Sequence, residues 1–446
     1  MDNAQAAPQE DKKPGQIDKK AFGLIFLTVF IDLVGFGLII PAIPTFAQSL
    51  AVPSFLTSTF LATPSGHASE SAVGLLIASY SFMQFIFMPF WGRLSDRVGR
   101  RPVLLMSLVA SSVGYLIWGF SQDLVVLFVS RLVAGFGNAN IAVAQAYIAD
   151  ITTPETRAKG MGLVGAAFGL GFVLGPAIGF GCMSLGLTIS AIGFVAAAFS
   201  VLDLVLTAAL LPEPKKRSSA GAERYGMGPG FYLKTISDPK LRISLALFLI
   251  STFAFANMEA TLVLLTAQQF QFDARQNMIM FVYIGILMVI VQGRLIHGLS
   301  KRFGEKKLIM AGSLLVAIGL LMTPATDQVP VLYVALAVLA VGSGINTPAN
   351  QSMLSKLAPS DCMGGVMGVG QSLSTLGRIL GPAIGCAVYQ YFGHFSPYLI
   401  GAVTMLGAAG ASTLLPDLSS AEGSAQPVSL PADQLAIERE GEEARS

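Results

Sequence analysis

The chain has 446 residues, 53% of them hydrophobic and only 12% charged, against about 25% charged in soluble domains. Its mean hydropathy is +0.66, and apolar runs of about 20 residues recur from end to end, which excludes a soluble enzyme and predicts a polytopic membrane protein. The formal net charge of +2 says less than where the charges fall, and three scattered cysteines, Cys182, Cys362 and Cys386, imply no disulfide framework.

Residues 1–21 form a polar N-terminal tail with no cleavable signal peptide, so the first apolar stretch is expected to be an uncleaved anchor. Hydropathy and turn signals then mark twelve spans. Six of them, at 22–47, 72–93, 102–120, 124–150, 158–182 and 187–211, make an N-terminal bundle (22–211). A basic Pro/Gly/Ser-rich linker (212–241) leads to six more, at 242–270, 277–299, 307–324, 331–357, 364–390 and 396–416, in a C-terminal bundle (242–416). The polar tail 417–446 is expected to be disordered. With the N-terminus placed in the cytoplasm, 25 of the 28 Lys and Arg fall in cytoplasmic segments. Both termini are therefore expected on that side, with a bacterial inner membrane as the expected setting.

The halves repeat. "MGLVGAAFGLGFVLGPAIG" (161–179) aligns with "MGVGQSLSTLGRILGPAIG" (367–385), and "LSDRVGRR" (94–101) aligns with "LSKRFGEK" (299–306). Gly135 and Gly137 correspond to Gly342 and Gly344. Three alignments at nearly one offset predict an all-α fold of twelve transmembrane helices in two pseudo-symmetric six-helix bundles, with a site between them.

Charges at membrane depth are costly and mark function. Asp32 interrupts span 1 in "FIDLVGFGLIIPAIPTF", about 15 Å from the cytoplasmic edge at 1.5 Å per residue. Arg131 in span 4 comes out about 20 Å deep, and Glu259 in span 7 and Arg378 in span 11 about 20–25 Å deep. One acid–base pair per bundle is therefore expected, and a carboxylate that is neutralised in place is a proton carrier. Asp203 in span 6 receives no role.

The loop between spans 2 and 3, "GRLSDRVGRRP" (92–102), has more than a topological anchor needs. Asp96 is expected to dock on the N-terminus of another helix, for which the Gly-rich start of span 11 leaves room. Gly92, Asp96, Arg97, Gly99, Arg100 and Arg101 are thus expected to form a conformational switch. In "GFVLGPAIGF" (171–180), Gly171 and Gly175 share one face and permit close packing, Pro176 kinks the helix, and Gly179 follows. Gly381-Pro382 repeats the device in the other bundle. Cavity walls are expected to carry Asn138, Gln145, Phe168, Phe172, Asn257, Tyr283, Gln292, Asn346, Asn350 and Gln371, a lining suited to an amphipathic organic ligand.

The 92–102 loop resembles the G-x-L-x-D-R-x-G-R-R/K signature of the major facilitator superfamily. "RLVAGFGNA" (131–139) is similar to its span 4 element, and 171–180 to the G-x-x-x-G-P-x-x-G-G element of antiporters, with Phe180 in place of the last glycine. The D-x8-P-x-x-P stretch from Asp32 to Pro44 is similar to span 1 of the twelve-span drug:proton antiporters, in the tetracycline-efflux-like and tetracycline-transporter-like branch. The resemblance covers 22–416. Tetracycline exporters carry an acid in span 9 and a histidine within span 8. Here span 9 has no acid and His297 ends span 8, so the resemblance implies organic anions and drugs as substrates.

The sequence has no Walker A loop, HExxH or Cys/His metal spacing. No enzyme activity, metal, cofactor or nucleic-acid partner is expected, and a proton gradient supplies the energy. The reading is a monomeric proton-coupled antiporter in the lipid bilayer, exporting amphipathic small molecules or drugs. The alternatives are an organic-anion or metabolite carrier, working by symport or uniport, and a transporter-like receptor that moves nothing.

Overall fold

The computed structural model describes residues 19–152, 154–214, 229–359 and 362–417, with the side chains of 19, 20, 154–166, 168 and 229 outside the description. The tail expected to be disordered lies beyond the described residues apart from Asp417. Among the described residues the regular elements are helical, save three isolated β-bridges near the loop after span 1.

Among the described residues, helices occupy all twelve expected spans. Span 1 is Lys19–Ile39, carried through a 3-10 turn at Ile40–Ala42 into Ile43–Ser49, with Pro41 and Pro44 at the first turns of the two short pieces, where proline has no N–H to lose. Spans 2 and 3 are Glu70–Val98 and Arg100–Gly119. Span 4 is Leu124–Gly137, a 3-10 turn at Asn138–Asn140, and Ile141–Ile151. Spans 5 and 6 are Pro154–Ser184 and Ile189–Leu210. The linker holds a short helix, Pro229–Ser237. Span 7 is Arg242–Gln269, and span 8 runs Ala274–Ile290 into a π-turn at Val291–Leu295. The helix Ile296–Met322 breaks at Gly304 (φ 74°), which separates span 8 from span 9. Spans 10 to 12 are Val329–Leu357, Met363–Phe392 and Ser396–Ser412.

The even-numbered spans 2, 4, 6 and 8 start with side-chain caps, all on the face opposite the Arg/Lys-rich loops. Ser69, Asp123 and Thr188 accept from Ala72, Val126 and Ala191, and Asp273 with Gln276 forms a reciprocal capping box. These caps satisfy N–H groups that the first turn leaves unpaired.

The packing repeats by half. Span 1 lies on spans 5 and 6 as span 7 lies on spans 11 and 12; spans 3 and 4 pair as 9 and 10 do; and the halves meet through spans 2·11 and 5·8. Small residues make these contacts possible, since lipid supplies no hydrophobic drive between helices. A Cβ on Gly175 would lie 2.5 Å from the Gly37 carbonyl carbon, and one on Gly381 would lie 2.8 Å from Asn257 N. Across the halves, a Cβ on Gly74 would lie 2.4 Å from Pro382 O and one on Gly179 2.9 Å from Met278 Sδ. Pro176 and Pro382 both lie inside their helices, five residues after Gly171 and Gly377.

The hydrophobic core shows which end is closed. One apolar cluster joins both halves, running from Leu38, Phe46 and Leu76 to Met258, Phe281 and Tyr389. At the basic end the clusters separate, one around Ile25, Trp91 and Tyr147 and two others confined to the C-terminal half and linker helix. The capped face also carries polar and cation–π links between halves. Ser71 N donates to Gln390 Oε1 at 3.0 Å, and Arg275 lies 5.1 Å from the Phe180 ring centre.

Candidate functional site

Two cavities lie between the halves and share Phe36, Tyr80 and Arg378. The larger, about 660 Å³, is lined by Asp32, Gln84, Asn138 and Asn140 from the N-terminal half and by Gln371, Thr375 and Arg378 from span 11. The smaller, about 400 Å³, is lined by Ile40, Ile43, Arg131, Glu259 and Pro382 among others. The four charges expected at membrane depth therefore meet around one central region.

Their pairing differs from expectation. No ion pair within 4 Å joins Asp32 to Arg131 among the described residues. Asp32 Oδ2 instead accepts from Asn140 Nδ2 at 2.8 Å, and its Oδ1 is buried without a hydrogen-bond partner. The 3-10 turn at 138–140 explains this, because it turns Asn140 toward span 1 inside what the sequence reads as one continuous helix. Arg131, 2% exposed, lies under an aromatic lid, 4.7 Å from the Trp118 ring centre and 6.0 Å from that of Tyr115. Cation–π contact of this kind offsets part of the cost of burying a guanidinium. Glu259 shares a cavity wall with Arg378, while its Oε1 has no hydrogen-bond partner. Arg378 in turn lies 5.8 Å from the Phe36 ring centre, across the interface between halves.

Of the side chains expected to line a cavity, Asn138 and Gln371 are on the larger wall. Asn138 is fixed by Ser111 and Tyr115 and takes Gln84 on its carbonyl. The others whose side chains are described are on neither wall. Asn257 donates to Pro397 O, Asn346 bridges Ser251, Ile309 and Ser313, Asn350 accepts from Ser244, and Tyr283 reaches Tyr333 O. These amides join helices, where an unsatisfied polar group would be costly. Phe172 packs on Phe255 and Phe281. Gln145 is half-buried, Gln292 falls in the π-turn of span 8, and the Phe168 side chain is outside the described residues.

On the basic face, Gly99 leaves span 2 at φ 113°, a conformation that favours glycine. Arg100 then pairs with Asp96 (2.8 Å) and Asp150 (2.8 Å) and donates to Ser95 Oγ. Glu213, just beyond span 6, accepts from both Arg100 N and Arg101 N at the start of span 3. Arg101 also reaches Ala208 O, Arg97 is exposed, and a Cβ on Gly92 would meet only open space. The Gly-rich start of span 11 is covered at Gly365 by Phe231 of the linker helix. In the second half Glu305 accepts from Lys356 (2.9 Å), Ser300 and Ser352. Burial works against its charge, but the bonds from Lys356, its own N–H and the two serines outweigh it and hold Glu305 below the ordinary glutamate value. Glu213, Asp150, Glu305 and Lys356 were not singled out from sequence. The matching "LLPE" (210–213) and "LLPD" (414–417) carried a signal for the first.

The sequence profile of the Major Facilitator Superfamily matches residues 25–298 and 295–432. The chain belongs to that superfamily. It is 33% identical over 369 residues to the class C tetracycline resistance protein of Escherichia coli, covering 82% of this chain and 89% of that protein. It is 32% identical over 393 residues to multidrug resistance protein 1 of Bacillus subtilis, covering 87% and 95%. The crystal structure of the human organic anion transporter MFSD10 (TETRAN) matches 88% of this chain and 99% of its own with a TM-score of 0.67 and 27% identity. This major facilitator is a multi-pass membrane transporter and not an enzyme.

Proposed function

We propose that the chain is a proton-coupled antiporter that exports amphipathic small organic molecules by alternating access. The observation that carries this reading is Asp32. It stands on the wall of a cavity between the halves with one oxygen bound by an amide, the other bare, and, among the described residues, no cation within ion-pair distance. Such a carboxyl gains and loses a proton without breaking a salt bridge, and arriving substrate shifts the balance. The apolar and aromatic remainder of the wall suits an amphipathic ligand. The bacterial relatives named for tetracycline and multidrug resistance are in keeping with this. The antiporter works as a monomer without a bound cofactor, in the bacterial inner membrane with both termini in the cytoplasm. A second reading, an organic-anion carrier, is favoured by Arg131 and Arg378 facing one cavity with Glu259 as its acid, and by the human neighbour described as an organic anion transporter.

The test is flux in proteoliposomes under an imposed pH gradient, with ethidium and a fluorescent carboxylate dye as probes. Gradient-driven accumulation of either by wild type is expected, with its loss in Asp32→Asn and persistence of downhill exchange. Full accumulation by Asp32→Asn removes Asp32 from the mechanism. Preference for the carboxylate dye selects the second reading.

A further inference from the structure

Asp203 lies deep in the N-terminal half and outside the coupling proposed above. Span 6 runs antiparallel to span 1 and packs on it, and the two helices meet through matched four-residue steps. Thr28 and Asp32 are one turn apart on span 1, and Asp203 and Thr207 are one turn apart on span 6. The Thr28 and Thr207 hydroxyls meet at 3.0 Å, and Thr207 Oγ1 donates to Asp203 Oδ1 at 3.3 Å. Span 1 enters from the basic face and span 6 returns to it, so each aspartate lies one turn farther from that face than its threonine. Two carboxyls thus lie level with one another above a rung of two hydroxyls.

Neither carboxyl is compensated. Asp203 is 1% exposed, its Oδ2 has no hydrogen-bond partner, and no ion pair reaches it among the described residues. Among the described side chains of the helices packed against span 6, the titratable groups are Asp32 on span 1, Arg100, Arg101 and Tyr115 on span 3, and Cys182 at the far end of span 5. Arg100 is bound by Asp96 and Asp150. Arg101 bonds Ala208 O, five residues along, and Tyr115 is held by Asn138. The charge that Asp203 senses is that of Asp32. Asp32 and Thr28 are on the cavity wall, whereas Asp203 is not among its lining residues.

We propose that Asp203 is a second proton-binding carboxyl, which takes up and releases its proton as one unit with Asp32. This rests on the proton-coupled reading above and deepens it. Two facing acids with no cation between them do not both stay ionised out of water, so the pair exchanges protons one at a time. When the O–H bond of Asp32 breaks as substrate arrives, the Asp203 carboxylate is the neighbouring acceptor. The proton is then held off the cavity wall.

Infrared spectroscopy of the purified full chain, followed through the C=O stretch of protonated carboxyls across pH, tests this without any substrate. Part of the band is expected to vanish in Asp203→Asn, and in Asp32→Asn the remaining Asp203 band is expected to titrate at a pH displaced by at least about one unit. Thr207→Val keeps both acids and is expected to shift the band's frequency and its titration. It serves where Asp203→Asn fails to fold. A band untouched by Asp203→Asn, or an Asp203 titration indifferent to Asp32→Asn and Thr207→Val, overturns the proposal. Flux distinguishes the two readings. Wild-type transport blind to a pH gradient sinks proton coupling while the infrared coupling still decides whether the pair exists, and an unchanged pH profile of flux in Asp203→Asn overturns its part in coupling.

Discussion

The two basic-face loops are copies of one device built with opposite charge. In the first, Ser95, Arg100 and Asp150 come together; in the second, Ser300, Glu305 and Lys356 occupy the corresponding places. The cation lies on the loop and the acid at the end of span 4 in one half. The acid lies on the loop and the cation at the end of span 10 in the other. Both loops turn on a glycine with positive φ, Gly99 and Gly304. What the repeat preserves is therefore a contact of opposite charges at a fixed place, together with the backbone turn that presents it. The sign of each charge is free, provided that its partner changes with it. The surroundings differ too. Arg100 serves two carboxylates, one of them 53% exposed, whereas Glu305 is 6% exposed and gathers two hydroxyls besides its lysine.

Reversing one charge in the first loop should break the comparison most severely. Arg100→Glu adds a fourth acid beside Asp96, Asp150 and Glu213, and the expected loss is about 3 kcal/mol, the low end for a broken buried pair because Arg100 and Asp150 are 15% and 27% exposed. Adding Asp150→Lys gives the first loop the polarity of the second and should restore most of that stability. Thermal unfolding of the two variants in detergent measures the rescue. Additive losses would show that the polarity of a loop is tied to its half. In the second loop, Lys356→Met leaves Glu305 buried with two hydroxyls and its own N–H as donors and no cation, for an expected loss of about 2–3 kcal/mol by the same measurement. A loss near zero would mean that the serines suffice and that the lysine is a surface bystander.

A smaller effect tests what the first loop has from the linker. Glu213→Gln leaves one acceptor oxygen for two N–H groups at the start of span 3 and removes a negative charge from a helix N-terminus. About 1 kcal/mol is expected. Faster hydrogen exchange at Arg100 and Arg101 amides should accompany it, and unchanged protection would show that water replaces the carboxylate at no cost.

The same contrast shows what could be read in advance. Spans, halves and the placement of Asp32 were legible because apolar runs and a lone acid need no partner to be recognised. The partner of Asp32 was not legible. Asn140 reaches it only because the chain takes a 3-10 turn where periodicity reads straight through. Amides such as Asn257 and Asn346 were ambiguous for a related reason. An Asn in an apolar helix has the same sequence signature whether it faces a cavity or a neighbouring helix, and here these two bond to other helices. The inverted pair was hidden by charge itself, since Arg100 and Glu305 align at the same offset as their loops but share no chemistry.

The smallest effect concerns pH and belongs to the second loop alone. Glu305 is held below the ordinary value of 4.5, so the folded state binds its proton less readily than the unfolded chain does. Its contribution to stability is therefore fully present above that ordinary value, and it is lost as pH falls through the lower folded value. In the first loop the corresponding central group is an arginine, which keeps its charge throughout, so no such acid limb arises from Arg100. At neutral pH Glu305→Gln should cost only about 1 kcal/mol, because Lys356, 37% exposed, recovers water. Thermal midpoints of wild type and Glu305→Gln, followed from neutral pH into the acid range, should converge as the wild-type carboxyl protonates. Curves that stay parallel to the acid end would show that the Glu305 charge contributes nothing, and that the lysine pair is held by its geometry alone.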